Sequence, residues 1–201
     1  TKEAEAAYIS QLELQSLLER AMRRAGLPMA FSQGFHPLPL ISFGRALPVG
    51  VESQAEWFSI VLREPLSAEE VMKRLAPRML RGLRLDRLEE IPVNDKSVGS
   101  GQETFSLRFV GSDADRRLFM EAWDDFTATD SLMFTRETKK GPRTADIRPL
   151  FQVIEWDEHG TLYIVTDWSE TYISPMTLAR AITPWAEQHQ LKIMKLSQMF
   201  G

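Results

Sequence analysis

Phe105-Ser106-Leu107-Arg108-Phe109, followed by Ser112-Asp113-Ala114-Asp115 and then Leu118-Phe119, Ala122-Trp123 and Phe126, is the stretch from which the fold is read. The first five residues alternate apolar and polar, the period of a half-buried strand. Ser112 is an N-cap residue, and Asp113 and Asp115 suit the positive end of a helix. The apolar residues then recur at helical spacing, so the stretch predicts a strand followed by an amphipathic helix with the stripe Leu118, Phe119, Ala122, Trp123 and Phe126.

Further along, residues 132–136 read as a strand running into a basic hairpin. Residues 150–156 and 161–166 read as strands around a turn at Glu158-His159-Gly160. Ser174-Pro175 starts a helix carrying Leu178, Ile182 and Trp185, which Pro184 kinks or splits, and residues 191–196 form a last strand. Upstream, residues 10–26 predict a helix. Ser10 and Glu13 form a capping box, Leu14, Leu17, Leu18, Ala21, Met22 and Ala25 form its stripe, and Gly26 with Pro28 ends it. Short strands are expected at residues 40–43, 56–62 and 83–88, with a second helix capped by Ser67 and broken at Pro77. Pro48-Val49-Gly50 is a turn. The polar, Gly/Ser-rich residues 93–102 form a linker between residues 1–92 and 103–201.

Each half then reads as β-α-β-β-α-β, with the first strand of the first half incomplete. The fold class is α+β: two tandem ferredoxin-like subdomains with antiparallel sheets.

The chain has 201 residues, 43% hydrophobic and 26% charged, which is ordinary for a globular protein with a sizeable core. Cys is absent, which excludes disulfides, thiolate-held clusters and thiol nucleophiles within this chain. No apolar run approaches a membrane span, and a cytoplasmic location is expected. Walker, G-x-G-x-x-G, G-x-S-x-G and H-E-x-x-H patterns are missing, and His36, His159 and His189 have no metal-ligand spacing.

The net charge of −4 conceals two basic stretches. Residues 20–45 hold Arg20, Arg23, Arg24 and Arg45 without an acid. Residues 136–148 hold Arg136, Lys139, Lys140, Arg143 and Arg148 against Glu137 and Asp146. The second stretch suits phosphates; its plain alternative is a solvated hairpin that protects an edge strand. Asp146 and Arg148 share a strand face and can pair. The loop Phe31-Ser32-Gln33-Gly34-Phe35-His36-Pro37 is the other candidate site. Gly34 permits close backbone approach, and Ser32, Gln33 and His36 bring donors and acceptors. Its plain alternative is a self-capped turn. No catalytic residue is assigned.

These two stretches also carry a resemblance. Ile9-Ser10-Gln11-Leu12-Glu13-Leu14, Arg20 through Pro28, the Ser32-Gln33-Gly34-Phe35-His36-Pro37 loop and Leu47-Pro48-Val49-Gly50-Val51-Glu52-Ser53 resemble the uncharacterised domain of radical SAM-linked proteins. Lys139-Lys140-Gly141 with Asp146-Ile147-Arg148-Pro149 resembles that family's K-K-G-x-x-x-x-D-I-R-P signature. The family has S-H-L-D-L where this chain has Ser10-Gln11-Leu12-Glu13-Leu14, and Gln11 does not titrate. The resemblance implies a bacterial accessory domain, fused to or partnered by a radical SAM protein. That partner would carry the 4Fe-4S cluster, S-adenosylmethionine and cobalamin, and this chain no cofactor. The paired halves also resemble repeat-associated RNA-processing endonucleases, at the level of fold alone.

Three functions are therefore open. The first is a module holding a phosphate-bearing substrate such as structured RNA or tRNA through Arg20, Arg23, Arg24, Arg136, Lys139, Lys140, Arg143, Asp146 and Arg148, with Ser32, Gln33, Gly34 and His36 near its reacting end. The second is a protein-docking or dimerising scaffold without RNA. The third is an RNA-cleaving or modifying activity on His36, which His36→Ala would abolish.

Overall fold

The computed structural model describes residues 1–92, 101–137, 141–168 and 172–199. The chain is mixed α and β and divides into two compact units, Thr1–Gly99 and Ser100–Gly201.

In the first unit α1 (Gln11–Arg24) starts at Ser10, whose hydroxyl accepts the Glu13 N–H while the Glu13 carboxylate accepts the Ser10 N–H. Such a cap is worth about 1 kcal/mol. Leu14, Leu18, Ala21 and Met22 are buried, while Leu17 and Ala25 border the stripe. Gly26 takes φ +65° and ends the helix. β1 (Ile41–Phe43) pairs antiparallel with β3 (Phe58–Ile60), and β2 (Glu52–Ser53) exchanges two backbone hydrogen bonds between Ser53 and Lys2. α2 (Ala68–Leu75), capped by Ser67, runs into a 3-10 turn, Ala76–Arg78, that contains Pro77. The core joins the α1 stripe to Leu27, Met29, Val71, Leu75 and Leu83.

The strands here are shorter than expected. Residues 28–31 lie beside residues 61–63 through isolated hydrogen bonds, because Pro28, Pro37 and Pro39 remove ladder donors. The strand expected at residues 83–88 is absent. Leu83 makes one bridge to Lys2, Arg84 bonds Thr1, and the charges that follow pair locally, Arg84 with Asp86 and Arg87 with Glu89.

Gly82, at φ +81°, packs against Glu3 and Ala6. A Cβ there would lie 2.5 Å from the Glu3 carbonyl oxygen and 3.0 Å from the Ala6 Cβ. Gly82→Ala is therefore expected to lower stability by about 1–3 kcal/mol from the φ alone, with the clash added. A urea melt that leaves the midpoint unmoved would contradict this.

The second unit holds β4 (Gln102–Phe109), α3 (Asp113–Ala128), β5 (Met133–Arg136), β6 (Arg143–Asp146), β7 (Phe151–Trp156), β8 (Leu162–Asp167), α4 (Pro175–Ile182) and β9 (Leu191–Gln198). Its four main strands stand in the order β9-β4-β8-β7, every neighbour antiparallel. Ser112 and Ser174 cap their helices as expected. α3 packs on α4, α4 on β9, and Phe105, Leu107, Phe109, Leu191 and Ile193 are buried at alternating positions. Phe119 stacks on Phe109 at 5.4 Å, and Trp123 meets Phe151 edge-on at 6.0 Å.

Two expected core positions are corrected. Leu118 is 52% exposed, because the buried row of α3 is Phe119, Trp123 and Phe126, and Leu118 lies about 100° round the helix from Phe119. Trp185 lies beyond the end of α4 at Ile182 and is 44% exposed, although its ring meets Phe109.

Candidate functional site

The loop at residues 31–39 closes on itself. The Ser32 N–H donates to the Leu38 carbonyl at 2.8 Å, and the Ser32 hydroxyl accepts the Leu38 N–H at 3.0 Å. Ser32 therefore holds the loop closed through one lone pair of its hydroxyl oxygen. Gly34 takes φ +138°, a backbone region that L side chains rarely enter. A Cβ there would meet nothing within 4 Å, so the glycine answers to conformation and not to crowding. Gln33, His36 and Phe35 are exposed, Phe35 entirely so. Phe35 joins the candidate residues of this loop, and an aromatic next to Gly34 is the signal the sequence offers for it.

The three α1 arginines diverge. Arg23 donates two hydrogen bonds to the Glu19 carboxylate and lies over the Phe31 ring at 5.4 Å. Glu19 stands one residue outside the acid-free stretch, and it neutralises Arg23. Arg20 and Arg24, one turn apart, face a cleft of about 260 Å³ that Arg78 also borders.

In the second unit β5 and β6 form an antiparallel ribbon in which Thr135 lies opposite Thr144, and Arg136 opposite Arg143. Both arginines are exposed, and Arg136 donates to the Tyr172 carbonyl at 3.2 Å. Lys139 and Lys140 lie outside the described residues.

Asp146 and Arg148 build the root of this ribbon. One carboxylate oxygen of Asp146 accepts the backbone N–H of Leu132 at 2.8 Å and of Arg148 at 3.0 Å. The Leu132 donor first, then those of Arg148 and Ser131, hold the carboxyl below its usual range. Arg148 donates its side-chain N–H groups to the carbonyls of Thr129, Thr127 and Phe151 and lies over Phe126. It thus satisfies carbonyls left open at the C-terminal end of α3. The expected side-chain pairing between these two residues is replaced by backbone bonds: Asp146 binds the Arg148 N–H, and the guanidinium goes to the end of α3.

Sequence reasoning missed one further polar group. Glu103 and Lys195 form a buried ion pair at 3.0 Å, with side chains 3% and 1% exposed. The Trp168 indole N–H donates to the same carboxylate at 2.8 Å, and Lys195 also donates to Gln198. Both charges stand in phase with inward apolar positions, Glu103 with Phe105 and Leu107, Lys195 with Leu191 and Ile193. That phase was the readable signal.

Among the described residues no group of three or more His, Cys, Asp or Glu side chains could hold a metal ion. Nor is any helix long and apolar enough to cross a membrane. A two-unit α+β protein with an arginine-bordered cleft and a basic ribbon is the class that these features define. The chain belongs to the bacterial family described as "Uncharacterized protein conserved in bacteria (DUF2344)", which matches residues 1–184. Among curated proteins none matches the chain.

Proposed function

We propose that this chain is an accessory domain of a radical SAM system that holds a phosphate-bearing substrate, structured RNA such as tRNA above all. The observation that carries the reading is the cross-strand pair Arg136 and Arg143 on an exposed ribbon. Like charges directly opposite each other on a strand pair destabilise it by roughly 0.2–1 kcal/mol. A polyanion laid along the ribbon turns that repulsion into attraction, and the guanidinium fork suits phosphate oxygens. Lys139, Lys140 and Gly141-Pro142 continue the basic sequence between the strands.

The strand order β9-β4-β8-β7, with a helix after the first strand and another before the last, supports reading the second unit as ferredoxin-like. In the first unit α1 precedes and α2 follows the paired strands β1 and β3, and we read it as a reduced copy of that plan. The cluster, whose Cys ligands this chain lacks, would belong to a fused or separate radical SAM protein in the cytoplasm, and S-adenosylmethionine and cobalamin would go with it.

A salt titration of RNA binding tests the reading. Each phosphate neutralised contributes a log–log slope of about −0.7 to −0.9. Arg136→Ala with Arg143→Ala should weaken binding and reduce the slope by about 1.4–1.8. Affinity that is flat across the titration, or a slope unmoved by the double substitution, overturns it.

The fully exposed Phe35, with Leu38 63% exposed beside it, favours a second reading, a protein-docking scaffold. Co-precipitation with the radical SAM partner that Phe35→Ser abolishes, while RNA fails to bind, selects the scaffold.

A further inference from the structure

The cleft bordered by Arg20, Arg24 and Arg78 has an apolar floor that includes Leu17, Ala21, Met79 and Leu80 and has no acid in its lining. Four other arginines of the first unit are neutralised: Arg23 by Glu19, Arg74 by Glu70, Arg84 by Asp86 and Arg87 by Glu89. At the cleft they are not. Among the described residues Arg24 makes one long bond, 3.4 Å, to the Arg78 carbonyl, and no acid pairs with any of the three. Arg20 and Arg24 are like charges at i and i+4, which weakens a helix by roughly 0.2–0.5 kcal/mol. Side chains at that spacing stand about 5–6 Å apart at Cβ. Two guanidiniums so placed can close on a single phosphate.

We propose that this cleft is a mononucleotide site, with the phosphate held by Arg20, Arg24 and Arg78 and the base laid on the apolar floor. The volume lies below the roughly 300–1,000 Å³ of pockets that enclose drug-sized ligands, which suits one base rather than a longer body. All three cations are arginine, whose planar fork binds phosphate bidentately and stacks on flat rings, where lysine offers only a point charge. The ligand is a nucleoside monophosphate, free or at the end of a strand. In taking a nucleic acid as the substrate this inference rests on the function proposed above, but it concerns a different site from the ribbon.

The test is calorimetric titration of the whole chain with adenosine monophosphate, adenosine, inorganic phosphate, poly-glutamate, and oligonucleotides with and without a 5′-phosphate. Adenosine monophosphate should bind about tenfold or more tightly than either adenosine or phosphate, since charge-assisted hydrogen bonds and base burial add. Arg20→Ala with Arg24→Ala should remove at least tenfold of that affinity. Leu80→Glu should abolish nucleotide binding; Leu80, Arg20 and Arg24 are exposed, so circular dichroism melts should be unchanged. Competition by the 5′-phosphorylated oligonucleotide alone identifies a strand end; binding of the free nucleotide alone identifies a small ligand. Equal affinity for phosphate and the nucleotide, preference for poly-glutamate, or indifference to the paired arginine substitutions overturns the inference. If RNA still binds with a salt slope that depends on Arg136 and Arg143 while the nucleotide does not bind, this inference fails and the proposed function stands.

Discussion

Glu103→Ala is expected to destabilise the second unit by about 3–5 kcal/mol, because it takes the Glu103 carboxylate away from the buried Lys195 ammonium and from the Trp168 indole N–H. In water each group is fully solvated. Inside the fold protein partners replace that solvation, among them the 3.0 Å pair, the 2.8 Å indole bond and the bond from Lys195 to Gln198. Lys195→Ala should do comparable damage from the opposite side. Removing both charges together, as Glu103→Met with Lys195→Met, should recover most of the loss, since a well-packed apolar pair often equals or exceeds a buried ion pair. Urea denaturation followed by circular dichroism reads all three. Additive losses in the double variant would show that the two side chains are not coupled.

Trp123→Ala should cost a similar amount, about 3–5 kcal/mol. The indole is fully buried and lies among Phe119, Phe126 and Phe151, with ring centroids 5.8–6.2 Å away. Truncation leaves a cavity that three aromatic rings cannot readily collapse into. Trp123→Phe should be far milder. Among the described residues the Trp123 indole N–H has no hydrogen-bond partner, and a buried unpaired donor costs roughly 1–3 kcal/mol. Phenylalanine deletes that donor along with the lost volume, so the two effects oppose each other. Equal losses for the two substitutions, measured in the same melts, would sink this account.

What the sequence reveals here is local. The Ser10–Glu13 box, the Gly26 stop and the period change between residues 105–109 and 112–126 each involve residues within one or two turns, and the structure has helix and strand there. The registers of long-range pairs are not written that way. Nothing within residues 83–88 tells that only Leu83 finds a strand neighbour, at Lys2. Nothing near Ser32 tells that its hydroxyl closes the loop on the Leu38 N–H, six residues on. Arg148 reads as a surface cation because the carbonyls it satisfies belong to a helix that ended some twenty residues earlier. The basic stretches were visible as composition. Which of their cations are neutralised was not, since a single neighbour such as Glu19 changes the count for Arg23.

The β5–β6 arm is an excursion in the connection from α3 to β7, and its base is clamped twice, by Asp146 on Leu132 and by Arg148 on the end of the helix. Such an arm behaves as an exchangeable cassette. Doubling the length of its outer segment adds only about 0.6 kcal/mol of closure entropy, and the aromatic centre is untouched. Added length at the far end would therefore leave the scaffold beneath it unchanged, so the arm can grow or shrink without altering how the second unit folds.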